Sequence, residues 1–157
     1  MRILALIVSM RSSTEMRNRL SIDTWGWLKI FGRRESRHEE VARHYRQFRD
    51  DGGEAFTTDY VLDETITQLF LRLPYRQALE KYQRIVHSRE AGFLKVERIA
   101  PDRFGSAMEL RRKYDGKPDI SFTDLTSMVV MQEFDLRDVL TGDAHFEHVG
   151  MGFRRQP

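Results

Sequence analysis

Apolar residues occur along the chain in two patterns: short continuous runs, and longer segments in which they recur at helical spacing. Compact runs bounded by polar or turn-forming residues are typical of strands buried in a sheet. They lie at LSID (20–23), EAFTT (54–58), FLKVERI (93–99) and DVLTGD (138–143). The longer stretches place apolar side chains on one face of a helix. They predict helices over 35–51, 59–73, 75–90, 101–114 and 121–134.

Residues that cap or interrupt helices support these boundaries. Glycine favours the turn that ends a helix, and Gly52 follows the first predicted helix. Either Thr58 or Asp59 is placed to cap the second helix, and Thr123 is placed to cap the last. Pro74 separates the second helix from the third, since proline cannot continue a helix through its interior.

The order of these elements predicts the fold class. Strands that alternate with helices indicate an α/β protein, here a three-layer α/β/α sandwich with a mostly parallel central sheet. No helix is predicted between the first strand and residue 35, and the tail after residue 143 is expected to be irregular and basic. In such sheets, ligands bind beyond the carboxyl ends of the strands, where the strand order reverses.

Acidic residues stand at this edge of the predicted sheet. Asp23 closes the first strand, Asp143 lies just after the last predicted strand, and Asp124 lies in the first turn of a helix. Glu64 reaches the same edge if its helix packs against the first strand. Taken singly, each acid is more often a cap, a turn residue or a solvated side chain. Taken together, converging carboxylates would repel one another without a cation, and their oxygens suit Mg²⁺ or Mn²⁺.

Composition narrows the class of protein. The chain has 157 residues, of which 40% are hydrophobic and 32% charged, as in a globular domain. It contains no cysteine, which excludes disulfides, thiolate metal sites and a cysteine nucleophile. Its 21 arginines against 5 lysines suit an RNA ligand, although genomic base composition explains the same bias. Glycine-rich phosphate loops and serine nucleophile elbows are absent from the sequence.

The segment from Ile3 to Met10 is apolar, as membrane and signal segments are. It is too short to span a bilayer and no small-residue cleavage pattern follows it, so neither is predicted. We expect residues 1–19 to be an N-terminal extension and residues 20–157 to form a single domain. The absence of cysteine makes the cytoplasm the default location.

Two sequence segments carry a family resemblance. TDYVLDET at 58–65, followed by SFTDLTSMVVMQEFDLRDVLTGDAHFEHVGM at 121–151, strongly resembles the VapC-like branch of the PIN-domain family. Members of that branch are toxins of type II toxin–antitoxin pairs. The resemblance runs from about Leu20 to Phe153 and is densest in the final third of the chain.

By position, the resemblance implies that the catalytic and metal-binding acids are Asp23, Glu64, Asp124 and Asp143. Asp63 competes with its neighbour Glu64 for the second role. Four further polar residues are auxiliary candidates because they lie beside these acids or in the loop before the third: Thr24, Thr123, Asp119 and His145.

The resemblance also implies an activity and partners. It implies a Mg²⁺- or Mn²⁺-dependent endoribonuclease that cleaves structured RNA such as transfer or ribosomal RNA, a homodimer, and an antitoxin whose C-terminal segment occupies the active-site groove. Arg33, Arg34 and Arg37 are candidates for binding the RNA backbone, and Trp25 and Trp27 for stacking bases or packing in the core. The alternative is a PIN fold that binds RNA or regulates without cleaving.

Overall fold

A five-stranded sheet forms the centre of the computed structural model, which describes residues 18–157. The strand order is β3-β2-β1-β4-β5 and every neighbouring pair is parallel. The predicted mostly parallel sheet is therefore confirmed. The strands are β1 (Arg19–Ile22), β2 (Glu54–Thr58), β3 (Leu94–Glu97), β4 (Asp138–Leu140) and β5 (Arg154–Gln156).

Helices connect the strands and cover both faces of the sheet. All five predicted helices are present, with ends within a few residues of the predicted positions. The helices of the described residues are α1 (Thr24–Phe31), α2 (His38–Asp50), α3 (Asp59–Arg72), α4 (Tyr75–Glu90), α5 (Pro101–Lys113), α6 (Phe122–Glu133) and α7 (His145–His148).

Two hydrophobic cores lie on opposite faces of the sheet. Successive residues of a strand point to opposite faces, and Ala55 belongs to one core while Phe56 belongs to the other. The first core surrounds Trp27 and takes side chains from α1 to α4. The second surrounds Met128 and takes side chains from α5, α6 and α7. The chain is thus a three-layer α/β/α sandwich, as predicted.

Side-chain caps begin three of the helices. Of the two predicted caps of α3, Thr58 and Asp59, it is Thr58 whose Oγ1 accepts a hydrogen bond from the backbone N–H of Val61, at 3.1 Å. The predicted cap at Thr123 is wrong, because Ser121 Oγ accepts from the N–H of Asp124 at 3.0 Å and starts α6 two residues earlier. Thr123 therefore lies inside the first turn of that helix.

Two segments contain helices or strands that were not predicted. Residues after Asp23 form α1, whose apolar face buries Trp27 in the first core. The tail forms α7 and then β5, which pairs in parallel with β4 through Asp138 and Arg154. β4 is therefore not the last strand, and the tail closes one side of the sheet.

Residues 1–17, most of the expected N-terminal extension, lie outside the described residues. Arg19, the last residue of that expected extension, belongs to β1. Within residues 18–157, no helix combines the length and the apolar character needed to cross a membrane.

Candidate active site

The order of the strands creates a switch point between β1 and β4. The chain builds outward from β1 through β2 to β3, then returns to the other side of β1 for β4 and β5. Ile22 is paired with Leu140, so the next residues, Asp23 and Thr141, leave adjacent parallel strands side by side. Ligands of α/β sheets bind at such a point.

Asp23 is buried at this point, with only 6% of its surface exposed. Its Oδ1 accepts a hydrogen bond from the backbone N–H of Gly26 at 2.8 Å and thereby caps α1. Its Oδ2 accepts a short hydrogen bond from the hydroxyl of Thr141. Thr141 Oγ1 also accepts from the N–H of Asp143 at 3.0 Å, so a single threonine joins two of the acids.

Gly26 allows α1 to lie this close to β4. A Cβ at position 26 would stand 2.5 Å from the carbonyl oxygen of Leu140 and 3.0 Å from Ile22 Cγ2. The helix start, and with it Asp23, is therefore held against the end of β4 by a contact that only glycine permits.

Glu64 reaches the same cavity from α3. The hydroxyl of Thr24 donates to Glu64 Oε2 at 3.0 Å, which ties α3 to the start of α1. Glu64 lines the cavity together with Asp23, Asp124 and Asp143, whereas Asp63 does not line it. Of the two candidates for the second acid, only Glu64 therefore lines the same cavity as Asp23, Asp124 and Asp143.

Mutual repulsion and burial perturb the acids. Burial raises the pKa of Asp23 to about 7, against the hydrogen bonds from Thr141 and Gly26, and the charges of Asp124 and Asp143 add to the rise. Burial, followed by the charge of Asp143, also raises the pKa of Asp124 well above its ordinary value. These carboxylates therefore carry electrostatic strain that a bound cation would relieve.

A histidine joins Asp143 to Asp119. His145 Nδ1 lies 2.9 Å from Asp143 Oδ1, and His145 Nε2 lies 2.7 Å from Asp119 Oδ2. Burial by itself lowers the pKa of His145, but its hydrogen bonds to the two carboxylates raise the pKa above the ordinary value overall. The backbone N–H of His145 also donates to Asp143 Oδ1 at 2.8 Å. The ring and the backbone of His145 therefore both orient the Asp143 carboxylate.

The cavity has a volume of about 570 Å³, and its second wall contains Trp25, Lys29, Glu35 and Arg72. Trp25 was a predicted candidate for stacking bases, whereas Lys29, Glu35 and Arg72 were not predicted. Lys29 follows Trp25 by one helical turn on α1, so the spacing would have placed them together had that helix been predicted. Arg72 comes from the end of α3, far away in sequence.

Several predicted residues do not line the cavity. Arg33 and Arg34 are exposed, and Arg37 pairs with Glu40 at 2.8 Å while its guanidinium lies 5.6 Å from the ring centroid of Trp25, which does line the cavity. Thr123 lines a neighbouring groove instead of the cavity. Trp27 is 2% exposed and its indole N–H donates to Thr57 at 3.2 Å, so it packs in the core and has no open face for a base.

The carboxylate oxygens that line the cavity suit a hard cation, such as Mg²⁺, that keeps part of its water shell. Within the part of the chain that the structure describes, no three His, Asp or Glu side chains are close enough to form a preformed metal site. Mg²⁺ commonly uses one or two carboxylates directly and fills its other positions with water and substrate phosphate. The carboxylates of Asp23, Glu64, Asp124 and Asp143, which line one cavity, fit that requirement.

Comparison with known proteins agrees with the fold. A family model described as PIN domain matches residues 21–151. The structure resembles VapC20 of Mycobacterium tuberculosis, a toxin that cleaves the sarcin–ricin loop, with a TM-score of 0.71 and 24% identity over 83% of this chain and 95% of that one. It also resembles VapBC2 of Rickettsia felis bound to a promoter DNA fragment, with a TM-score of 0.66 and 11% identity over 88% and 97% of the two chains. Comparison with curated proteins finds no match.

Proposed function

Since the chain belongs to the PIN-domain family, we propose that it is a metal-dependent endoribonuclease and the toxin of a type II toxin–antitoxin pair. The observation that carries the proposal is the placement of Asp23, Glu64, Asp124 and Asp143 around one cavity at the switch point of the sheet. Likeness to a toxin that cleaves the sarcin–ricin loop supports a structured RNA loop as the substrate.

The residues divide into ligands and groups that orient them. The four cavity acids, Asp23, Glu64, Asp124 and Asp143, would hold Mg²⁺ or Mn²⁺. When bound, such a cation lowers the pKa of a water and neutralises charge that develops on the phosphate. The hydroxyl of Thr141 positions Asp23 by donating to its carboxylate and positions Asp143 by accepting from its N–H. The hydroxyl of Thr24 orients the Glu64 carboxylate by donating to it.

His145 and Asp119 act on Asp143. The carboxylates beside its two ring nitrogens raise the pKa of His145 and thereby favour its protonated form, which donates to both. The ring and the backbone N–H of His145 both contact Asp143 and restrict rotation of its carboxylate. Their role in the proposed reaction is to position a ligand, since neither needs to touch the RNA.

The proposed partners are a second copy of this chain and an antitoxin. An apolar patch at the junction of α3 and α4 supports the homodimer, because Phe70, Leu71 and Tyr75 are 38%, 74% and 69% exposed. Isolated exposed apolar residues are ordinary, but three adjacent ones favour an interface. The antitoxin is proposed to cover the active-site cavity with its C-terminal segment, as the family resemblance implies.

The proposal is tested by cleavage of a ribosomal RNA hairpin by the purified chain in Mg²⁺. Asp124→Asn removes a proposed metal ligand while keeping the side-chain shape, so cleavage should fall by at least about a hundredfold, on the order of the loss of a key electrostatic group. Asp115→Asn, an exposed acid in the loop after α5, is the matched control and should cleave like the parent. Binding without cleavage by the parent would favour a non-catalytic RNA-binding module instead.

A further inference from the structure

The second wall of the cavity contains its positive charge. Among the described residues, Lys29 and Arg72 are the only lysine or arginine side chains that line the cavity. Six acids line it as well: Asp23, Glu35, Glu64, Asp119, Asp124 and Asp143. A polyanion such as RNA that enters this cavity meets mostly repulsion. RNA can bind there only if cationic side chains neutralise the charge of its phosphates.

Glu35 occupies the place between the two cations. Lys29 Nζ lies 3.1 Å from Glu35 Oε2, and Arg72 Nη1 lies 3.2 Å from Glu35 Oε1. One carboxylate thus bridges both cations with its two oxygens. A phosphodiester also presents two anionic oxygens on one atom, and arginine and lysine are the usual partners of phosphate. The bridging carboxylate has the charge and the two-point geometry of a phosphate.

The three partners differ in how firmly they are held. The Lys29 side chain is 11% exposed and lies against the Trp25 ring, with Nζ 5.6 Å from the ring centroid. The Glu35 side chain is 36% exposed and belongs to the loop between α1 and α2. The hydrogen bond from Lys29 lowers the pKa of Glu35, so the carboxylate is charged. Lys29 is therefore fixed and desolvated, while the anion is the component that can leave.

Gly32 permits the close position of Glu35. A Cβ at position 32 would stand 2.5 Å from Glu35 Cγ, so the glutamate side chain crosses the end of α1 through space left by the glycine. A buried lysine without an anion is costly, which favours exchange of one anion for another over an empty pair. The Glu35 carboxylate can turn to solvent when another anion replaces it.

We propose that Lys29 and Arg72 bind a backbone phosphate of the RNA strand, and that Glu35 holds this phosphate subsite until RNA displaces it. The inference rests on the proposed ribonuclease function and adds two residues that bind the RNA backbone. The exchange conserves charge, since one carboxylate leaves and one phosphodiester enters. Trp25, which lies against Lys29, borders the same subsite.

The test measures RNA affinity and its salt dependence. Each variant is made in the Asp124→Asn background, and a fluorescein-labelled single-stranded RNA is titrated in Mg²⁺ by fluorescence anisotropy. Arg72→Gln should weaken binding by roughly two- to fivefold at low salt. It should also lower the slope of log affinity against log salt by about 0.7, the value for one phosphate contact on a single strand. Glu35→Gln should tighten binding by a similar factor, because the competing anion is gone.

Matched controls separate this effect from a change in net charge. Arg76→Gln and Glu90→Gln make the same charge changes at exposed positions of α4 outside the cavity, and should leave the slope as in the Asp124→Asn parent. Three results would each overturn the subsite. The first is a salt slope for Arg72→Gln equal to that for Arg76→Gln, and the second is an unchanged RNA affinity of Glu35→Gln. The third is that no variant binds RNA.

The outcomes also distinguish the two proposals. If the chain without substitutions fails to cleave RNA while Arg72→Gln lowers the slope, the phosphate subsite stands and the ribonuclease function fails. If it cleaves RNA while both cavity variants behave like their controls, the function stands and the subsite fails.

Discussion

Replacing Asp23 by Asn should stabilise the metal-free protein while removing activity. Raising a pKa from 3.8 to about 7 corresponds to about 4 kcal/mol, at about 1.4 kcal/mol per pKa unit. Because folding raises this pKa, ionisation of Asp23 destabilises the fold. The cost is absent below about pH 4, grows as the pH rises, and is complete above about pH 7. Asparagine caps helices as well as aspartate does, so α1 keeps its start.

The assay is urea denaturation in EDTA at two pH values. At pH 8 Asp23→Asn should gain up to about 4 kcal/mol over the parent, and near pH 5 the gain should fall below about 2 kcal/mol. Asp115→Asn, a substitution at an exposed position, is the control and should change the free energy of unfolding by less than about 0.5 kcal/mol. Added Mg²⁺ should stabilise the parent more than the variant. A variant less stable than the parent at pH 8 in EDTA would refute the reasoning.

Two further substitutions test the supports of the site. Thr141→Val keeps the volume but removes the hydroxyl shared by Asp23 and the N–H of Asp143, and should cost about 1–3 kcal/mol of unfolding free energy in urea; an unchanged midpoint would contradict that role. Gly26→Ala forces a Cβ against the Leu140 carbonyl and should cost about 1–3 kcal/mol and slow RNA cleavage. Parent-like stability and cleavage would show that the contact is not needed.

The acids could be placed from the sequence because their positions follow local rules. Asp23 comes directly after an apolar run, and Asp143 comes shortly after another. The carboxyl ends of parallel strands meet at one edge, so predicting the sheet was enough to predict proximity. The position of Glu64 could not be predicted from the sheet alone, because its distance from the other acids depends on how α3 packs against α1.

The connections among the acids could not be predicted. Thr141 and Asp23 are 118 residues apart, and their hydrogen bond depends on the register of β1 with β4. The helix at Thr24–Phe31 was missed because it is short, contains Gly26 and carries two tryptophans that favour strands. Because α1 was not predicted, Lys29 could not be placed beside the cavity.

The helix and strand of the tail could not be predicted for a related reason. Its apolar residues, at positions 144, 146, 149, 151 and 153, follow neither a helical nor a strict strand spacing, and two glycines interrupt them. Phe146 and Phe153 nevertheless pack in the second core, with ring centroids 6.3 Å apart. This tertiary contact holds β5 beside β4. Local sequence does not report such a contact.

Binding of Mn²⁺ measured by electron paramagnetic resonance tests the central claim most directly, namely that the four acids form one divalent-cation site. The parent and Asp115→Asn should bind Mn²⁺ alike at neutral pH, and Asp124→Asn should bind at least about tenfold more weakly, as expected when a carboxylate ligand or its close support is lost. Equal Mn²⁺ affinity of Asp124→Asn and the parent would contradict the account.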